Sequence, residues 1–273
     1  MFTSKNGGGF LGLIDSHAHL SSETFWPNIH STLAAAKSAG IMRIVNICTD
    51  SLSLERGLQL ALDYPWIANA AATTPHDVEK EGEEFFPQAE AAAIKGKLIA
   101  IGETGLDYHY EHSPRSLQQT FLRRYFALAI RHRLPIVIHC RDAFDDLCSI
   151  ADECYLNRPL LLHCFTGTVK EAQEALKRGW KISFSGIVTF KKSQELRDVV
   201  KVVPLTEMLV ETDAPYLAPQ NKRGRMNEPA FLTETAQCIA DVKQVDINEV
   251  SMATKNGALA FFWPGSTGGL QEK

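Results

Sequence analysis

No apolar run in this chain reaches the roughly 18 residues that would suggest a membrane span, because charged or polar residues interrupt every candidate. The opening stretch, Met1 to Gly9, lacks the apolar segment of a secretory signal and reads as part of a flexible leader over residues 1–10. Residues 266–273 read as a flexible tail. The expectation is a cytoplasmic protein with no membrane association. An excess of basic residues is missing too. A formal net charge of −4 denies the chain a general electrostatic grip on nucleic acid, so any phosphate binding has to be local, through metal ions and a few placed cations. Cys48, Cys140, Cys148, Cys154, Cys164 and Cys238 include no C-x-x-C pair, which excludes a zinc knuckle or redox motif of that spacing and leaves reduced, mostly buried thiols. No linker, low-complexity block or composition shift divides the sequence.

What is present is a regular alternation. At 273 residues, with 45% apolar and 22% charged residues, the chain can form either two ordinary domains or one α/β barrel of roughly 250 residues. Short apolar runs at Leu11–Asp15, Arg43–Ile47, Ile67–Ala71, Leu98–Ile101, Ile136–His139, Leu160–His163, Lys181–Phe184 and Met208–Val210 read as strands. Between them, Trp26–Ser38, Ser51–Asp63, Glu83–Ile94, Pro114–His132, Asp142–Cys154, Val169–Lys177, Gln194–Val200 and Pro229–Lys243 read as helices. Eight such units predict a single closed (β/α)8 TIM-type barrel over residues 11–265, with an additional C-terminal helix from Ile247 to Phe261.

Residues of metal-ligand type stand where the predicted strands end. His17 and His19 follow the first, Glu103 the fourth, His139 the fifth, His163 the sixth and Asp213 the eighth. At i and i+2 on an extended chain, His17 and His19 point to the same side. A barrel brings the C-terminal ends of all its strands to one mouth, so ligands nearly two hundred residues apart can converge. Four imidazoles and two carboxylates suffice for two divalent ions if one carboxylate bridges. Such a pair activates water and stabilises attacking and leaving oxygens, which suits hydrolysis of a phosphate ester or an amide.

Several stretches carry a family resemblance: Ile14-Asp15-Ser16-His17-Ala18-His19, Ile101-Gly102-Glu103-Thr104-Gly105-Leu106-Asp107-Tyr108, Pro135 to Arg141, His163-Cys164-Phe165-Thr166-Gly167, Ser183-Phe184-Ser185-Gly186 with Thr189-Phe190, and Leu209 to Tyr216 followed by Arg225 to Pro229. In this order they resemble the TatD family of metal-dependent deoxyribonucleases, within the amidohydrolase-like barrels. The resemblance covers about residues 12 to 262. It implies that His17 and His19, with Glu103 and Asp213, hold one metal; that Glu103 bridges to a second held by His139 and His163; and that Asp213 takes the proton from the attacking water. It also implies two divalent ions (zinc, magnesium or manganese), DNA as substrate, 3'-5' exonuclease action by a metal-activated water, and no obligate protein partner. One departure stands out. Where the family has Gly-x-His-Pro-His after its third strand, this chain reads Ala72-Thr73-Thr74-Pro75-His76, so Thr74 replaces the first histidine while His76 remains a candidate substrate contact.

For other residues two readings stay open. Arg141 either clamps a phosphate oxygen or pairs with a carboxylate such as Asp142. Lys222, Arg223 and Arg225 either reach a phosphate over the mouth or form a solvated basic loop. Phe165 and Tyr216 either stack on a base or pack the rim. Asp213 is either a ligand or the cap of the following turn. Glu211 lies two residues before Asp213, on the same face and deeper in the barrel, and reads as structural or as a supporting carboxylate. Two other activities use the same features: hydrolysis of a small amide, lactone or phosphotriester, and metal-stabilised binding without turnover.

Overall fold

The computed structural model describes residues 12–265. The expected leader over 1–10 and tail over 266–273, with Leu11, lie outside the described residues. The elements alternate as β1 (Leu13–Ala18), α1 (Ile29–Ser38), β2 (Ile41–Cys48), α2 (Ser51–Asp63), β3 (Ile67–Ala71), α3 (Val78–Ile94), β4 (Leu98–Asp107), α4 (Arg115–His132), β5 (Ile136–Arg141), α5 (Phe144–Cys154), β6 (Leu160–Leu162), α6 (Val169–Lys177), β7 (Lys181–Phe184), α7 (Gln194–Val202), β8 (Met208–Val210), α8 (Leu232–Lys243) and α9 (Ile247–Phe262). Each strand pairs in parallel with the next, in the order β1 to β8. The last meets the first through Asp213 N–H donating to His17 O at 2.9 Å, His19 N–H donating to Ala214 O at 2.8 Å, and a parallel bridge between Ala18 and Ala214. The sheet is thereby a barrel with helices outside it.

Local chemistry starts the helices where the sequence says it should. Asp50 accepts the Ser53 N–H at 2.8 Å while Ser53 Oγ accepts the Asp50 N–H at 3.0 Å, and Thr168 and Glu171 form the same reciprocal cap on α6. Two expected helices open with a 3₁₀ turn, Trp26–Asn28 before α1 and Pro229–Phe231 before α8, each carrying its proline at the start, where the missing N–H costs nothing.

Inside the barrel, side chains are sorted by height. At the lower end Ile14, Val45, Ile47, Ala70, Val137 and Leu209 form a buried apolar layer that packs on Ala258, Phe261 and Phe262 of α9. The added C-terminal helix therefore stoppers the barrel floor. Above this layer Ser16 Oγ meets Ser183 Oγ at 3.0 Å and donates to Val210 O at 3.0 Å. Above the serines lie titratable groups.

Candidate metal centre

β1 carries His17, with His19 just past its end, through a register slip against β2 between Asp15 and Ala18. A bulge of this kind re-aims side chains, and here the Nε2 atoms of His17 and His19 converge to 3.2 Å. β4 brings Glu103 to the same point. Its Oε2 lies 3.4 Å from His17 Nε2 and 3.8 Å from His19 Nε2, while its Oε1 lies 2.9 Å from His163 Nε2 and 3.2 Å from His139 Nδ1. One carboxylate thus presents a different oxygen to each histidine pair. Asp213 Oδ1 sits 3.5 Å from both His17 and His19. The residue has φ +57°, a conformation that aspartate tolerates better than most side chains, and its carboxyl caps no helix.

Glycine allows β4 to carry this load. Gly102 and Gly105 have φ of +138° and +145°, and a Cβ on Gly105 would lie 1.9 Å from His139 O. With that clearance β4 continues past Ile101, where the sequence reading ends it, as far as Asp107. Asp107 consequently meets His139, with its Oδ2 2.8 Å from Nε2, and holds the ring with Nδ1 turned to Glu103. His76 Nε2 lies 3.6 Å from the same oxygen. Carboxylates behind ligating imidazoles fix ring orientation and tautomer. Glu211 is a second such group, buried beneath His163 with Oε1 3.4 Å from Nδ1 and accepting the Cys164 N–H at 2.7 Å. Asp15 is a third support. Its Oδ2 accepts from Thr212 Oγ1 at 2.6 Å and its Oδ1 from Thr212 N–H at 3.0 Å, tying the β1 histidines to the turn that carries Asp213.

Charge in the site follows from burial set against these contacts. Burial opposes ionisation of Glu103, but His163 beside it and hydrogen bonds from three imidazoles hold its carboxyl well below the usual range. Burial likewise opposes the charged form of Asp213, and the His19 hydrogen bond with the two β1 imidazoles keeps it low. Desolvation and the neighbouring His163 hold His17 neutral-leaning. His163 moves up, Glu103 outweighing burial. Asp107, despite its burial, is held at about 2, chiefly by His139. Desolvation pushes the Asp15 carboxyl up to about 7 against its three hydrogen bonds.

The donor set fits divalent cations. Ring nitrogens of four histidines crowd against one another and against carboxylate oxygens at 2.9–3.8 Å, and the rings of His17 and His163 stack 4.0 Å apart. Four groups of three ligand atoms close enough to share one ion occur among the described residues: His17, His19 and Asp213; Glu103, His139 and His163; and two that reuse these histidines, His17, His163 and Glu211, and His76, Asp107 and His139. Nitrogen-rich sets with carboxylate oxygen suit zinc or manganese.

The centre opens into a cavity of about 510 Å³. Arg141, His76 and Tyr216 line it, as do Thr74, Asp77 and Tyr110, which the sequence reading did not assign to a site. Arg141 Cζ lies 4.9 Å from the centre of the Tyr110 ring. Tyr216 is 58% exposed and sets its edge on His19, with centroids 5.7 Å apart. Phe165 is buried in the rim. The basic loop is not brought to the cavity: Lys222 and Arg225 lie over Phe231, Arg223 over Phe190, and Lys222 also reaches Glu234 at 3.7 Å.

A family model described as TatD related DNase matches residues 14–263. The chain belongs to the TatD family. It is 35% identical over 251 residues to the metal-dependent hydrolase YabD of Bacillus subtilis, spanning 92% of this chain and 98% of that protein. It is 30% identical over 256 residues to the 3'-5' ssDNA/RNA exonuclease TatD of Citrobacter rodentium, spanning 92% and 97%. Among solved structures, the Escherichia coli TatD homologue YJJV superposes with a TM-score of 0.87 at 27% identity, covering 93% of this chain and 99% of that one. As a TatD-family member the protein is a metal-dependent hydrolase acting on ester bonds. No helix among the described residues is long and apolar enough to cross a membrane. Within this TatD-family chain Thr74 donates its hydroxyl to Asp77 Oδ2 at 2.9 Å.

Proposed function

We propose that the protein is a 3'-5' exodeoxyribonuclease using two divalent ions, zinc, magnesium or manganese. The observation that carries this reading is Glu103, whose two oxygens face separate histidine pairs at 2.9–3.8 Å. His17, His19, Glu103 and Asp213 would hold one ion; Glu103, His139 and His163 would hold the other. Bound there, the ions supply activation of water and neutralisation of charge on phosphoryl oxygens.

The chain's own residues do the rest. Asp213 accepts the proton of the attacking water. Asp107 and Glu211 fix the rings of His139 and His163, so that little reorganisation accompanies the reaction. Arg141 has no carboxylate within 4 Å among the described residues and holds a phosphate oxygen of the substrate. His76 contributes a ring nitrogen at the cavity wall. The exposed face of Tyr216 takes a base of an unpaired strand, which favours single-stranded ends.

The decisive experiment supplies Mg²⁺, Mn²⁺ or Zn²⁺ to metal-stripped protein and follows end-labelled single- and double-stranded oligonucleotides. The expected result is stepwise shortening from the 3' end only after metal is restored. Parental rates in both Glu103→Ala and His139→Ala would sink the assignment. One observation favours a second reading, hydrolysis of a small amide, lactone or phosphotriester. Lys222, Arg223 and Arg225 rest on phenylalanine rings outside the cavity lining, leaving Arg141 as the one lysine or arginine among the described lining residues.

A further inference from the structure

Asp77 is out of place in a cavity that receives phosphate. It lies between β3 and α3, half-buried, and lines the same cavity as Glu103, His139 and Asp213. The one hydrogen bond to its carboxylate among the described residues comes from Thr74 Oγ1 on Oδ2 at 2.9 Å, and no described cation lies within 4 Å of it. Tyr216 lines the same cavity. A carboxylate in such a position repels a phosphodiester and gains only from a donor, such as a hydroxyl or amine. Thr74 turns one oxygen of the carboxylate by its hydroxyl and leaves the other available. A histidine at position 74, as in the resembling family pattern, would offer a ring nitrogen instead.

We infer that Asp77 reads the end of the strand. Its carboxylate accepts a hydrogen bond from the free 3'-hydroxyl of the terminal nucleotide and excludes a phosphate there. The inference rests on the nucleic-acid reading above. Its chemistry is self-consistent over successive turnovers: water oxygen bonds to phosphorus, the bond from phosphorus to the 3'-oxygen of the penultimate residue breaks, and the nucleotide leaves with its 5'-phosphate. The proton lost by the water returns to that 3'-oxygen. Each cleavage therefore produces a new 3'-hydroxyl of the kind Asp77 accepts, and an internal phosphodiester, which has none, is not positioned.

The competing account of Asp77 is structural. It occupies the position before the first turn of α3, where a negative charge favours the helix, although its side chain caps no N–H. The two accounts differ in what they do to a ratio. Full-length, metal-loaded protein is assayed on two single-stranded oligonucleotides identical except that one ends in a 3'-hydroxyl and the other in a 3'-phosphate. Wild type is expected to favour the hydroxyl end by about tenfold or more in kcat/KM, the scale of placing like charges together in a site. Asp77→Asn is expected to bring the ratio to within about twofold of one, with most of the change in KM. Asp77→Ser keeps a good helix-starting residue and provides the same readout should the first variant be poorly folded. A structural role lowers both rates by a common factor and leaves the ratio where it was. An unchanged ratio in both variants, or a wild-type ratio near one, overturns the inference while leaving nucleolytic activity established. Should wild type hydrolyse bis(4-nitrophenyl) phosphate but neither oligonucleotide, the nucleic-acid reading falls and the role of Asp77 with it.

Discussion

The floor and the mouth of the barrel are made by the same strands, and a few residues of travel along each strand convert one into the other. On β1 the inward side chains pass from Ile14, packed in the floor, through Ser16 to His17 at the mouth. On β5 they pass from Val137 to His139, and on β8 from Leu209 through Glu211 to Asp213. Below, burial of apolar surface stabilises without direction. Above, burial penalises a charge that lacks a partner, and Glu103, Asp213, His17, His139 and His163 are held by one another and by Asp107 and Glu211. The floor can therefore be dedicated to stability and the mouth to chemistry. Substitutions at the two ends should separate those properties.

The largest effect is expected at Glu103. Glu103→Gln keeps the shape but gives up the charge shared between both histidine pairs, and activity should fall roughly a thousandfold or more, the scale of losing one principal charge-stabilising group. Elemental analysis of the purified variant should show reduced metal. A variant retaining parental kcat and full metal content would remove Glu103 from the centre. At the floor, Phe262→Ala opens a cavity between α9 and the barrel, with an expected loss of about 3–5 kcal/mol. For a chain of this size that lowers the melting temperature by roughly 6–20 °C. Activity per folded molecule should be unchanged at low temperature, and a tenfold fall in kcat there would show that floor and mouth are coupled.

A third region sharpens the contrast because it is buried and polar but neutral. Between β2, β3 and α2, Asn46 Nδ2 donates to Asn69 Oδ1 at 2.9 Å and to Cys48 Sγ at 3.3 Å. Burial pushes the Cys48 thiol up to about 12. The folded state then keeps a proton that the unfolded chain releases near pH 9, so stability is fully present below that pH and is lost as pH rises from about 9 to about 12. Denaturation midpoints should fall across this window more steeply for wild type than for Cys48→Ser. Parallel curves would mean that the thiol ionises in place.

The mouth was legible in the sequence to the extent that chemistry sits where an apolar run stops. His17, His19, His139, His163 and Asp213 all follow this pattern, and the structure brings them together with Glu103. Support residues were less legible, for physical reasons. Asp107 shares a face with Glu103 only because β4 runs on through Gly102 and Gly105, and glycines in a strand pattern read as breaks unless the neighbouring backbone is known. The pairing of Thr74 with Asp77 depends on a turn that has no period to detect. Residues 216–228 likewise carry no periodicity, so their stacking on Phe190 and Phe231 is a tertiary fact.

Asp107 tests whether the supports belong to the mouth's chemistry or only to its stability. Asp107→Asn replaces the carboxylate behind His139 with an amide, and metal affinity should fall by about 10–100-fold, as for other carboxylates that orient ligating histidines. Titration of metal-stripped protein with Zn²⁺ checks this. Excess metal should then restore most of the activity, which it would not do after removal of a ligand. Affinity equal to wild type would reduce Asp107 to a packing residue.

The smallest effect is expected from the basic loop, and it decides how far the mouth extends. Lys222, Arg223 and Arg225 carry three charges outside the cavity lining, where phenylalanine rings engage all three and the Glu234 carboxylate engages Lys222. If substrate is gripped only inside the cavity, replacing all three with glutamine should change kcat/KM on a single-stranded oligonucleotide by no more than about threefold at physiological salt, because exposed charges beyond a screening length of roughly 8 Å act weakly. If the strand continues across the loop, every phosphate that the variant no longer neutralises should lower the salt dependence by a slope of about 0.7. Rates measured from about 50 to about 200 mM salt separate the cases. A neutral ester substrate should feel neither change, so a loop variant that slows only the oligonucleotide would place the loop, with Arg141, on the path of a polyanion.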